Sequence, residues 1–252
     1  MRIELSGKLA LVTGSTGGIG KAIANGLAAT GADVIVNGRR QQSVDTAIQD
    51  IKASVAGARV RGVAADVSSA EGCSVLVKAV PAVDILVNNA GVFEPKSFFD
   101  IPDEDWLRLF QINVMAGVRL SRAYMPAMLS RNWGRIVFIS SESALNIPNE
   151  MIHYGSTKAA ELAIARGLAQ LTAGTAVTVN SVLPGPTRSD GVEAFLAKMA
   201  ERLGKPVHEM AADFIKKYRP TSLLRRFASV EEIANMECTR HRRRRRLRME
   251  PP

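Results

Sequence analysis

Leu9-Ala10-Leu11-Val12-Thr13-Gly14-Ser15-Thr16-Gly17-Gly18-Ile19-Gly20 decides the fold. The apolar run reads as a strand buried on both faces, and it breaks into a glycine-rich turn that opens a helix. Gly14, Gly18 and Gly20 let the main chain come close to a pyrophosphate. The following helix, expected over 18–30, aims its N-terminal amides and positive dipole end at that charge. An ordinary tight turn is the plainer alternative, but three glycines at fixed spacing cost chain entropy without adding core contacts.

Working outward, apolar β-branched runs alternate with longer helical patterns. Strands are expected at 9–13, 33–37, 60–64, 85–88, 135–140 and 176–183, and helices at 18–30, 41–55, 69–80, 102–131 and 154–173. Gly31 sits where a left-handed residue ends the first helix. Pro102 with Asp103, Glu104 and Asp105 starts the longest one, placing proline and acids in its first turn. Strands separated by helices imply βαβ units, and hence an α/β fold: one doubly wound domain, a parallel sheet with helices on both faces. No internal linker, repeat or second-domain boundary interrupts residues 1–236.

The chain has 252 residues, 46% hydrophobic but only 5% aromatic, which suits one core of Ala, Val, Ile and Leu. No stretch approaches the roughly 20 apolar residues of a membrane span. Met1–Lys8 has no apolar signal core, and Cys73 and Cys238 lie far apart in unlike surroundings, so a reducing cytoplasm is expected. The net charge of +9 is concentrated at one end, where seven arginines and two glutamates after Met236 contribute +5. The remainder, +4, is only mildly basic and says little about partners.

Ligands bind such sheets at the C-terminal ends of the strands. The glycine loop, Arg39-Arg40, Asp66-Val67, Asn88-Asn89-Ala90-Gly91, Ser140-Ser141 and Pro184-Gly185-Pro186-Thr187 each follow one expected strand and converge on that edge. Tyr154 and Lys158, spaced i, i+4 on a helix, project from one face. A phenol, titrating near pH 10, is a poor acid–base group at neutrality. A nearby ammonium and a cationic nicotinamide ring would both favour its phenolate, and a shift of about three pH units takes about 4 kcal/mol. Alone, the pair reads as a surface tyrosine beside a solvated lysine. Ser141, thirteen residues earlier, could hydrogen-bond the same substrate oxygen, or simply cap a turn. Asn113 is a poor helix-interior residue, and its plain reading is a buried hydrogen bond to a neighbouring loop.

Together these motifs resemble the short-chain dehydrogenase/reductase family, with the resemblance running from about Leu5 to Met236. It implies that Tyr154 is the general acid/base, that Ser141 orients the carbonyl or alcohol, and that Lys158 assists Tyr154 and holds the nicotinamide ribose. Asn113 would support a water in a proton relay. It further implies cofactor contacts at Gly14, Ser15, Thr16, Gly18, Ile19, Gly20, Asp66, Val67, Asn89, Ala90, Gly91, Pro184, Gly185 and Thr187, besides Tyr154 and Lys158; no residue is assigned to a metal. The family also implies a homodimer or homotetramer.

Residues 34–40, Val-Ile-Val-Asn-Gly-Arg-Arg, carry no acid for a 2′-hydroxyl but two guanidiniums for a 2′-phosphate. NADP(H) is therefore expected over NAD(H), with Arg39 reading the phosphate unless Arg39-Arg40 merely begins a solvated helix. About 188–227 should form a lid of two small helices, with Phe195, Met199, Met210, Phe214 and Tyr218 lining an apolar pocket or holding the lid to the body. Leu145, Ile147 and Met151 are expected near the active edge, favouring an apolar ketone or 3-oxoacyl substrate, and no charged residue stands out as a carboxylate clamp. His153 should face away from Tyr154.

Ser229-Val230-Glu231-Glu232 reads as a capping box opening a further helix. The apolar continuation and last strand of the family are missing, and residues 237–252 form an arginine-rich tail expected to be disordered. The tail is either a basic arm for nucleic acid or anionic membrane, or an out-of-frame read of a GC-rich gene. The second is favoured because it also explains the missing strand. Neither membrane nor nucleic acid is therefore an expected partner. The loss would weaken the oligomer, and it leaves open a cofactor-binding protein with little or no catalysis.

Overall fold

The computed structural model describes residues 4–220 and 222–239. Its sheet contains β1 (Leu9–Val12), β2 (Asp33–Gly38), β3 (Val60–Ala64), β4 (Ile85–Asn88), β5 (Gly134–Ile139) and β6 (Val177–Val182). All pairings are parallel, in the order β3-β2-β1-β4-β5-β6. The order reverses between β1 and β4, which opens a crevice beyond their C-terminal ends.

Side chains alternate across the sheet and divide the core in two. Ala10, Val12, Val34 and Val36 face one layer with Ile23 and Leu27 of α1 (Gly18–Ala29) and Val44 and Ile51 of α2 (Gln41–Ser54). Leu11, Ile35, Leu86 and Phe138 face the other, with Leu76 of α3 (Ala70–Ala79) and Leu120 and Tyr124 of a long helix described below. Gly31 ends α1 in the left-handed region with φ +89°, as its position after the helix requires.

The single helix expected over 102–131 is three pieces: α4 (Asp103–Leu109), a π-helical turn at Phe110–Met115, and α5 (Ala116–Ser130). Asn113 lies inside that turn, where its side chain bonds a neighbouring loop, and π-turns of this kind recur at functional sites. After β5 come α6 (Ile152–Leu171), then α7 (Asp190–Leu203) and α8 (Val207–Tyr218), which supply the two helices expected in 188–227. Their apolar faces form a third, separate cluster around Leu196, Met210 and Phe214.

A two-stranded parallel ribbon, β7 (Thr187–Arg188) with β8 (Ala228–Ser229), leads into α9 (Val230–Thr239). The expected capping box is in place: Glu232 N–H donates to Ser229 Oγ at 3.1 Å, and Ser229 N–H donates to Glu232 Oε2 at 2.8 Å. Helix α9 continues past Met236, so the expected domain boundary falls inside it. Cys238 is buried against α1, its Sγ 2.9 Å from where a Cβ on Gly26 would lie. Among the described residues β6 ends the sheet and no helix is long and apolar enough to cross a membrane. The expected disordered run 240–252 lies outside the described residues.

Candidate active site

The loop between β1 and α1 is closed by main chain rather than side chains. Gly14 has φ +61°, and a Cβ there would stand 3.0 Å from Ala90 Cα. A Cβ on Gly20 would meet the Gly14 carbonyl oxygen at 2.5 Å. Gly17, in the N-cap position of α1, brings no side-chain cap, so the first-turn amides remain directed at the crevice. The loop is closed on itself at Gly14 and Gly20, and its main-chain amides at the start of α1 are suited to an anion.

Some expected contacts serve the loop itself. Ser15 is fully buried; its hydroxyl donates to the Val12 carbonyl at 2.7 Å and accepts from Asn37 N–H, while its own N–H donates to the Asn37 carbonyl. Asn89 spends its amide on the Thr13 and Gly14 carbonyls at 2.9 and 3.1 Å. Both thereby brace the glycine loop from within. Asp66 caps its own turn by accepting from Ser68 N–H, and its side chain is exposed at the edge with Arg39. Neither Arg39 nor Arg40 pairs with an acid among the described residues.

Ser141, Tyr154, Lys158 and Asn113 come together beside this loop. Ser141 is the N-cap of a short 3-10 turn, Glu142–Ala144, and its Oγ accepts from Ser143 N–H at 3.1 Å. It is both the cap and a lining residue of the same cavity as Tyr154. Lys158 Nζ is 5.8 Å from the Tyr154 ring centre and donates to the Ile139 carbonyl at 2.9 Å. Burial by itself would lower this ammonium, but the facing Glu161 carboxylate and the Tyr154 phenol outweigh it and hold it above the usual lysine range. Asn113 accepts from Val92 N–H at 2.8 Å and donates to the Val92 carbonyl and to Thr157 Oγ1. Its amide thus fixes the 91–92 backbone to α6, the loop bond expected of a buried asparagine. His153 packs edge-on against Trp106, and desolvation pulls its imidazole down.

Tyr154 and Ser141 open onto a cavity of about 510 Å³ between the sheet edge and helices α7 and α8. Phe195, Met199, Phe214 and Tyr218 line it as expected, whereas Met210 packs within the helix pair. Met151 also reaches the cavity, while Leu145 and Ile147 do not line it and are 71% and 48% exposed.

Two features escaped the sequence reading. Arg219, only 8% exposed, lines the pocket, and its Nε donates to Glu142 Oε1 at 2.6 Å and its Nη1 to Glu150 Oε1 at 3.4 Å. Glu161 is buried against Lys158. The Arg219 pairings are ones that no spacing rule reveals, whereas Lys158 and Glu161 stand i, i+3 on one helix and were open to that rule.

A model of the short chain dehydrogenase family matches residues 8–200. The chain is 49% identical over 235 residues to the oxidoreductase YvaG of Bacillus subtilis, covering 93% of this chain and 89% of that protein. It is 33% identical to the 3-oxoacyl-[acyl-carrier-protein] reductase FabG of Aquifex aeolicus, covering 94% and 90%. L-sorbose reductase of Gluconobacter frateurii, solved with NADPH and L-sorbose, superposes with a TM-score of 0.88 at 32% identity, covering 94% of this chain and 90% of that one. The chain belongs to the short-chain dehydrogenase/reductase family, and is an oxidoreductase that acts on a carbonyl or alcohol substrate with a nicotinamide dinucleotide.

Proposed function

We propose that the protein is an NADP(H)-dependent reductase that interconverts an apolar ketone or 3-oxoacyl group with its alcohol, with Tyr154 as general acid/base. The observation that carries this reading is the meeting of Tyr154 and Ser141 at one cavity, with the Lys158 ammonium 5.8 Å from the Tyr154 ring centre, beside a loop where Gly20 has no room for a Cβ. The cofactor fits that loop: the uncapped first turn of α1 would hold the pyrophosphate, and the unpaired Arg39 would hold a 2′-phosphate. When bound, it supplies the hydride. NADPH in the solved L-sorbose reductase supports this choice by likeness.

In reduction, the Tyr154 hydroxyl gives its proton to the oxygen of the former carbonyl, and in oxidation it takes one back. Ser141 Oγ already accepts from Ser143 N–H, which leaves its O–H free to donate to the same oxygen. Lys158, held protonated, stabilises negative charge on the phenol oxygen. Gly91 lies against this group: a Cβ there would be in ordinary contact with Asn113 Oδ1 at 3.4 Å and Lys158 Nζ at 3.5 Å. Phe93, Phe195 and Phe214 supply an apolar wall, and helices α7 and α8 act as a lid.

Tyr154→Phe tests the assignment. Turnover of a ketone panel should fall by about 100-fold or more while NADPH affinity stays within a few-fold, since acid–base catalysis is typically worth about 10²–10⁴. Retention of more than about a tenth of the rate would remove Tyr154 from the role.

A further inference from the structure

We propose that Glu161 is a positioning residue for this reaction: its carboxylate anchors the Lys158 ammonium and tempers the pull of that ammonium on the Tyr154 phenolate. The inference rests on the reading of Tyr154 as the acid/base group. Glu161 is 2% exposed, one helical turn beyond Lys158 on α6, in a position that faces the sheet. Lys158 Nζ donates to Glu161 Oε1 at 3.0 Å and to Oε2 at 3.2 Å, so both carboxylate oxygens bind one ammonium. The third donor of that ammonium goes to the Ile139 carbonyl at the end of β5. Lys158 is thereby tethered by two partners while its Nζ lies 5.8 Å from the Tyr154 ring centre, so the ammonium is shared between a carboxylate and a phenol ring.

The surrounding charges single out this pair. Lys96, Asp105 and Arg108, on the side of α6 that carries His153, form their own cluster. Glu142 and Glu150 are taken by Arg219. The charged group that acts on Glu161 is Lys158, with the Ser140 hydroxyl as a further polar neighbour. Burial pushes the Glu161 carboxyl up, Lys158 pulls it back, and it settles at about 7.

The sign of the coupling follows. Below that pH the carboxyl is neutral, and the ammonium acts on the phenol with its full charge. Above it the carboxylate cancels much of that charge, and the phenolate is stabilised less. One carboxylate thus tunes the proton-transfer group through the ammonium it holds.

The protein has three tyrosines, Tyr124, Tyr154 and Tyr218, and burial pushes Tyr124 up to about 12. Subtracting the ultraviolet pH titration of a Tyr154→Phe variant therefore isolates the phenolate signal of Tyr154, with no substrate or cofactor present. In a Glu161→Gln background that signal should rise at a pH lower by about 1 unit than in wild type, the size expected of one neighbouring charge, with the Tyr154 phenolate keeping Lys158 charged once the carboxylate is gone. Glu161→Asp, which keeps the carboxylate on a shorter stem, should fall between the two. If Glu161→Gln does not fold, a downward displacement in Glu161→Asp supports the inference and coincidence with wild type overturns it. Coincident curves for wild type and a folded Glu161→Gln also overturn it, as does an upward displacement. Because turnover is not the readout, failure here is separate from failure of the catalytic assignment, which the ketone panel judges.

Discussion

The two sides of the candidate site are built from opposite materials. The glycine loop and residues 89–91 form a wall of main chain, where Gly14, at φ +61°, approaches Ala90 tightly and Gly20 approaches the Gly14 carbonyl too closely for any Cβ. The facing wall is side chain: Phe195 meets Phe214 edge-on at 5.9 Å between ring centres, and Phe214 stacks on Phe227 at 5.8 Å. These rings belong to a cluster separate from both sheet cores. A backbone wall holds a constant ligand and tolerates almost no change. A side-chain wall with its own small core can change its lining without disturbing the sheet, and so can set substrate choice.

The largest expected effect is on the main-chain wall. Gly20→Val places branched carbon against the Gly14 carbonyl, and should weaken NADPH binding by about 100-fold or more, a cost typical of overpacking. Fluorescence titration measures it, and unchanged affinity would mean that a ligand does not lie on this loop. Next is Arg39→Asp, which should move the ratio of kcat/KM for NADPH over NADH towards NADH by about one to two orders of magnitude, the worth of a charge-assisted phosphate contact plus new repulsion. An unchanged ratio would remove Arg39 from phosphate recognition.

The smallest effect belongs to the side-chain wall. Arg219→Met leaves Glu142 and Glu150 without their shared partner, in a position where each keeps some contact with water. Stability should fall by about 1–2 kcal/mol, lowering Tm by about 2–8 °C, with NADPH affinity within a few-fold. A loss of cofactor affinity as large as that of Gly20→Val would show that the two walls are not independent.

The main-chain wall was legible because its signals are local. Glycine spacing after an apolar run, the alternation of strands and helices, and the i, i+4 pair Tyr154 and Lys158 all lie within a few residues of one another. The side-chain wall was legible only as composition: aromatic residues and methionines of 188–227 were visible, but not which of them turn inward. Arg219 finds Glu142 and Glu150 across 77 and 69 residues, and such distances leave no trace in periodicity. Asn113 stood out as unsuited to a helix interior, yet nothing in its neighbours shows that the helix answers with a π-turn. Ser15 and Asn89 lie in the expected motif but turn inward to brace it, because a loop of glycines has few side chains with which to hold its shape.

The most direct test is to follow the hydride itself. NADPH carrying deuterium at both C4 positions of the nicotinamide is incubated with the protein and a panel of ketones and 3-oxoacyl thioesters, and the products are weighed by mass spectrometry. Transfer of one deuterium to the former carbonyl carbon of an apolar member of the panel, abolished by Tyr154→Phe, is the expected result. NADPH that binds without any deuterium reaching product across the panel would contradict it, and would leave a protein that holds the cofactor without using it on these substrates.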